Sequence, residues 1–410
     1  MSMSRCARYG LLVAGLPLAG CSGLLDVESP GRIADDDLNE VDAIPGLVIG
    51  MSSDLMEAYD ASLDDISLAA LELWHGGSYD YADIPRGIIL PEDVNGEWAQ
   101  MQQARWVAEQ GIERIKAMPA FADEFNSSAL VARAYLLAGF ANRLLGENVC
   151  ETAIDGGPRE PHTVHFERAV EQFTTAITIG TAAEDDDIVT AAHAGRASAV
   201  AWLGDWDGAV NDAAEVPTDF VYFVLFGTED DNDIHFETFN RPEYTVYLTE
   251  FMDHPDDPRA PWRTVFEADG DTAKGANGAT PFLQQRKYEE TGADVAAVKG
   301  TEMLVLRAEA ELREGDIAAA IDLLNEARAF YEMDAIATPA TLEEAWEILF
   351  YERGATTWLE GRRLWDLRRW YEQTGPGHND WRAEKSPSGQ QLRDVCFPIS
   401  ENELRSNPNL

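Results

Sequence analysis

Residues 301–329 read TEMLVLRAEAELREGDIAAAIDLLNEARA, and residues 190–217 read TAAHAGRASAVAWLGDWDGAVNDAAEVP. Both have apolar residues at helical spacing, a Gly-Asp step, and a second helical stretch that opens with small residues. In each, the turn glycine and a following alanine stand five apart: Gly204 with Ala209, Gly315 with Ala320. Glycine lets the chain reverse through a left-handed conformation, and alanine lets the returning helix approach closely. Upstream, Leu130, Ala134, Leu137, Ala141 and Leu144 keep the same period, with Gly146 placed to end that helix. Phe166, Ala169, Phe173 and Ala176 continue it. Such helix–turn–helix units bury no core alone and must stack, which is the tetratricopeptide pattern. The expected fold class is therefore all-α, a helical-hairpin scaffold with repeats over about 129–217 and 299–370. The last part, Leu342 to Trp370, is an amphipathic stretch rich in Arg and Trp, whose Trp358, Trp365 and Trp370 suit a core with cation–π partners. Long insertions over about 55–100 and 218–298 carry Gly, Pro, Asp, aromatics and short β-like runs.

The N-terminus addresses the compartment. Arg5 and Arg8 precede a short apolar run, Leu11 to Leu18, which then reads Leu18-Ala19-Gly20-Cys21. The run is shorter than the about 20 residues a spanning helix needs, so residues 1–20 read as a secretion signal. The segment resembles the lipobox of bacterial lipoproteins, which implies acylation of Cys21 and attachment to the membrane by lipid alone. Residues 21–410 are then one domain. Its two remaining cysteines, Cys150 and Cys396, invite a disulfide in an oxidising compartment; two buried free thiols are the other reading.

A formal charge of −43, with lysine only at 116, 274, 287, 299 and 385, excludes nucleic acid as a partner. The acidic runs match no EF-hand spacing. There is no HExxH, GxSxG or phosphate loop. His162 and His165, near Glu167, have metal-like spacing but read better as exposed histidines ahead of a helix. No catalytic residue, metal or cofactor is expected. Ligand capture favours flat aromatic faces on loops. Trp74, Tyr79, Tyr81 and Trp98 surround the run Trp74-His75-Gly76-Gly77, and Tyr244, Tyr247, Trp262 and Tyr288 form a second set. Each aromatic serves either a core or a ligand.

Several segments together resemble the SusD/RagB family of outer-membrane nutrient-binding lipoproteins. They are Leu25-Asp26-Val27 with Pro30 and the Asp-rich stretch after it; Gly300 to Ala310; Tyr351-Glu352-Arg353 followed by Trp365-Asp366-Leu367-Arg368-Arg369; and the ending Phe397-Pro398-Ile399 with Asn407-Pro408-Asn409. Ser400 departs from the family's second proline. The resemblance implies a surface-exposed, lipid-anchored outer-membrane protein without catalysis. It would hold an oligosaccharide or peptide and pair with a SusC-like TonB-dependent transporter. A surface-anchored glycoside hydrolase and a tetratricopeptide adaptor for envelope assembly are the alternatives.

Overall fold

Gly204 and Gly315 stand in the left-handed region, at φ 91° and 85°. The aspartates that follow them accept the backbone N–H of Gly208 and Ala319 at 2.9 and 3.0 Å. The Gly-Asp step is thus a stop for one helix and an N-cap for the next. Behind each step, Ala209 and Ala320 are fully buried where the two helices meet.

A computed structural model of the chain describes residues 35–77, 80–227, 232–372 and 396–410. The signal segment, Cys21, the Leu25–Pro30 motif and Tyr79 lie outside the described residues. Residues 39–410 form one unit. Its helices run α1 (Ile44–Ala69), α2 (Asn95–Lys116), α3 (Ala129–Asn148), α4 (Thr163–Ala182), α5 (Asp186–Trp202) and α6 (Trp206–Ala214). After the three-residue α7 (Asp233–His235) come α8 (Gly300–Glu314), α9 (Ile317–Phe330), α10 (Leu342–Thr356), α11 (Arg363–Glu372) and α12 (Glu401–Ser406). The hairpins α1/α2, α3/α4, α5/α6 and α8/α9 stack in that order, and α10 closes against α8 and α9. Phe166, Ala169, Phe173 and Ala176 are all buried in this stack. None of the described helices is long and apolar enough to cross a membrane.

The β content is small, as expected. Among the described residues there are four two-stranded antiparallel ladders. Strand β1 (Trp74–His75) pairs with β5 (Tyr244–Thr245), β2 (Glu151–Ala153) with β3 (Arg159–Pro161), β4 (Val221–Val224) with β8 (Val295–Lys299), and β6 (Trp262–Thr264) with β7 (Leu283–Gln285).

Three expectations change. The first insertion is not 55–100 but the shorter segment 70–94, because α1 runs on to Ala69 and α2 begins at Asn95. Ser62, Asp65 and Ser67 of α1 are buried, and the two serine hydroxyls donate back to the carbonyls of Ala58 and Leu63. Gly146 does not end α3, which continues to Asn148. A Cβ there would lie 2.6 Å from the Phe166 ring, so its role is close packing. The stretch Leu342 to Trp370 is two helices, broken where Leu359 and Gly361 take positive φ.

The disulfide is formed. Cys150 and Cys396 have Cα atoms 5.0 Å apart. Next to it, Phe397 exchanges backbone hydrogen bonds with Asn148 and Cys150. The Arg-rich C-terminal helices fill the centre. Arg362 bridges Glu147 and Glu302, each at 2.9 Å; Arg353 joins Glu302 to Asp366; Arg369 joins Asp366 to Glu309, all buried. Burial alone would raise the Glu309 carboxyl, but Arg369 and Arg313 hold it down to about 2. Trp358, Trp365 and Trp370 are core residues. Arg368 lies over the Trp365 ring and Arg369 over the rings of Trp202 and Trp370.

Candidate functional site

The glycine run after Trp74 serves packing between insertions. Gly76 donates its N–H to Glu243 O at 2.7 Å, and its carbonyl accepts from Asn277 N at 2.9 Å. A Cβ on Gly77 would overlap the Glu243 carboxylate, so a side chain there would have to push that carboxylate aside. His75 is buried beside it, and burial pulls its pKa below the usual imidazole range, against the pull of Glu243.

The aromatics proposed as ligand contacts divide. Trp98, Tyr244 and Tyr288 are 3%, 4% and 2% exposed, so they are core residues and offer no face to a ligand. The Tyr288 hydroxyl donates to Leu359 O at 2.8 Å and that of Tyr244 to Asp64 at 3.3 Å, which accounts for their polar ends. Tyr247 and Trp262 pack against the core with part of their surface exposed, and Trp262 Nε1 donates to Phe251 O. Only the backbone of Tyr81 is described, in the 3-10 turn Asp80–Arg86. Trp74 is half-buried.

His162 and His165 are buried, not exposed, and neither is set out as a metal ligand. His162 Nδ1 meets Gly146 O at 2.6 Å; His165 bonds Asn142 and Thr152 through its two nitrogens. Among the described residues, no group of three or more His, Cys, Asp or Glu is arranged to hold a metal.

A concavity lies elsewhere, a cleft of about 1110 Å³. One wall is the 250–257 segment of the second insertion, another is the segment between α9 and α10, and the floor is the outer face of α10. The second wall has no secondary structure but is fastened at several points. Asn325 pairs with the backbone N–H and C=O of Ile336, Arg328 Nε donates to Asp334 O, and Glu344 accepts the N–H of Ala340 and Thr341. Thr341 and Glu344 complete a capping box at the start of α10. The wall is therefore preformed, as ligand sites usually are.

On the floor, the Tyr351 ring lies 4.1 Å from that of His254 between centroids, inclined by 39°. Its hydroxyl donates to Asp257 at 2.9 Å. Arg259, beneath, donates to Asp257 and reaches Glu352, which also receives Arg328 at 2.6 Å. Burial raises the Asp257 carboxyl and the Arg259 hydrogen bonds lower it further, so it stays ionised. Burial and the Asp257 charge push the Tyr351 phenol up, so it remains a donor at any ordinary pH. Met333, Ile336, Pro339 and Ile348 supply apolar surface, and Asp253, Asp256 and Glu347 stand exposed on the rim. The arrangement can hold a ligand against an aromatic pair, surrounded by acceptors. Sequence reasoning placed one wall in a functional insertion but did not single out His254, and it took Tyr351 only as part of a helix motif.

Residues 274–410 match a family model described as the SusD family. No curated protein matches the chain. Among solved structures, a SusD superfamily protein from Bacteroides fragilis NCTC 9343 is similar with a TM-score of 0.67 at 14% identity, over 90% of this chain and 98% of that one. A SusD-like carbohydrate binding protein from Bacteroides vulgatus ATCC 8482 aligns at TM-score 0.59 and 15% identity, over 90% and 97%. The surface glycan-binding protein A from Bacteroides uniformis aligns at 0.62 and 16%, over 88% and 98%. At these identities the structural likeness speaks for the fold.

Proposed function

We propose that the chain, whose residues 274–410 match the SusD family model, is a SusD/RagB-type non-catalytic binding protein that captures an oligosaccharide or peptide nutrient in the cleft over Tyr351. The observation that carries this reading is the preformed concavity with an aromatic pair on its floor, because stacking on a flat ring and a few directed hydrogen bonds are how sugars are held. Two of the fold's relatives are described as carbohydrate- or glycan-binding. Trp74, half-buried, remains a further candidate contact. Acylation of Cys21 would tether the protein to the outer membrane, and a SusC-like TonB-dependent barrel would take the ligand onward.

Titration of the protein lacking its first 21 residues against a panel of oligosaccharides and peptides tests the capture step. The expected result is binding without turnover, weakened at least tenfold by Tyr351→Ala. Product formation would favour the hydrolase, and unchanged affinity in Tyr351→Ala would move the site away from the cleft. The tether is checked separately: Cys21→Ser should release the protein from membranes, and mild-detergent purification of the native protein should bring a β-barrel transporter with it.

A further inference from the structure

The lining of the cleft narrows what it takes, given the reading that the cleft is the capture site. Seven of its eighteen lining residues are Asp or Glu, with Arg328 the one Arg or Lys. Over the whole chain the acids are 74 of 410 residues, so the cleft is about twice as acidic as an already acidic protein. Four of the seven are accounted for by the fold. Glu250 meets Arg363, Asp257 meets Arg259, Glu352 meets both Arg259 and Arg328, and Glu344 caps α10. Asp253, Asp256 and Glu347 have no such partner among the described residues. All three are exposed at the mouth.

The cavity and its aromatic floor make the site; these three carboxylates set its selectivity. A concavity with low-dielectric walls focuses the field of like charges and concentrates the opposite charge inside it. Anionic ligands are excluded by the same field. We propose that the cleft selects ligands carrying protonated amines, the chemistry shared by amino-sugar oligosaccharides and lysine-rich peptides.

Matched pairs separate charge from shape. Glucosamine oligomers are compared with their N-acetylated counterparts of equal length, and trilysine with its ε-acetylated form, by calorimetry at pH 6. The expected result is that at least one amine form binds ten or more times tighter than its acetylated partner. That margin should shrink as salt rises from about 50 to 300 mM, as a screened attraction must. The triple variant Asp253→Asn, Asp256→Asn, Glu347→Gln should abolish it, and because all three positions are exposed the variant should keep its thermal midpoint. The sugar and peptide arms tell which source supplies the amine.

Equal affinity for amine and acetylated forms, or a triple variant indistinguishable from the parent, overturns the charge proposal. If Tyr351→Ala still weakens binding of the acetylated forms in that case, the cleft remains the capture site. Failure of every amine form to bind also overturns the proposal. Binding that neither Tyr351→Ala nor the triple variant affects overturns the cleft reading with it.

Discussion

Glu72 is buried without full compensation. One of its carboxylate oxygens accepts the N–H of Leu359 at 2.9 Å, and the other has no hydrogen-bond partner. Burial raises its pKa to about 8, more than the Leu359 hydrogen bond and the nearby Arg363 and Lys287 lower it. Asp65 on α1 is likewise raised by burial, then by the charges of Asp64 and Glu97. A carboxyl whose folded pKa lies above its unfolded one stabilises fully below about pH 4.5, and that contribution is lost as pH rises through about 8. The protein should therefore lose stability between pH 5 and 8. Lys287, pushed down to about 8 by burial, adds a slope of its own only above that window. Glu72→Gln keeps an acceptor for Leu359 and cannot ionise, so it should flatten part of the decline and gain a few kcal/mol near pH 8. Urea midpoints of variant and parent at each pH give the comparison; parallel curves would mean that Glu72 is ionised without cost.

The repeat is held at the scale of helices by single large side chains that enter space left by small ones. Phe173 on α4 occupies what a Cβ would need at Gly139 on α3 and at Gly195 on α5, where ring atoms come within 2.5 and 2.4 Å. It also meets Phe140 edge-on at 5.2 Å. Phe173→Ala should cost about 3–5 kcal/mol, the range for emptying a buried aromatic site. A loss under about 1 kcal/mol in chemical denaturation would show that α3, α4 and α5 are held together elsewhere. These elements were legible because their signals are local: Gly-Asp steps, an apolar period, and alanine at a fixed offset. Helix α1 was hidden for a physical reason, since Ser62, Asp65 and Ser67 spend their polarity inside the protein. The cleft was hidden for another. It joins His254 to Tyr351, residues that carry no shared motif and meet only when an insertion folds back on α10. The same holds for Trp98, Tyr244 and Tyr288. Their sequence neighbourhood suggested a loop surface, while their hydroxyl or ring contacts place them in the core.

Across the whole molecule, the C-terminal tail is fastened to the start of α2 and to the segment that follows α3. The Cys150–Cys396 bond closes a loop with a sequence separation of 246, for which chain entropy alone gives about 5 kcal/mol. The tail does not depend on that bond alone. Glu401 N donates to Pro91 O, Asn402 N to Asn95, and the side-chain amides of Asn407 and Asn409 donate to the carbonyls of Gly157 and Gly156. The Asn-Pro-Asn ending thereby acquires a structural role, clasping the turn between β2 and β3. With these bonds intact after reduction, the tail stays close to its docking site even in partly opened states. The measured loss should then fall below the entropic figure, at roughly 2–4 kcal/mol. Denaturation of the parent with and without reductant, alongside Cys150→Ser with Cys396→Ser, measures it. The double variant should match the reduced parent, and a protease should cut its tail first. No change in stability would mean that the asparagine contacts and the Phe397 pairing suffice. A loss above 5 kcal/mol would mean that the tail undocks on reduction and takes the buried arginine network of α10 and α11 with it.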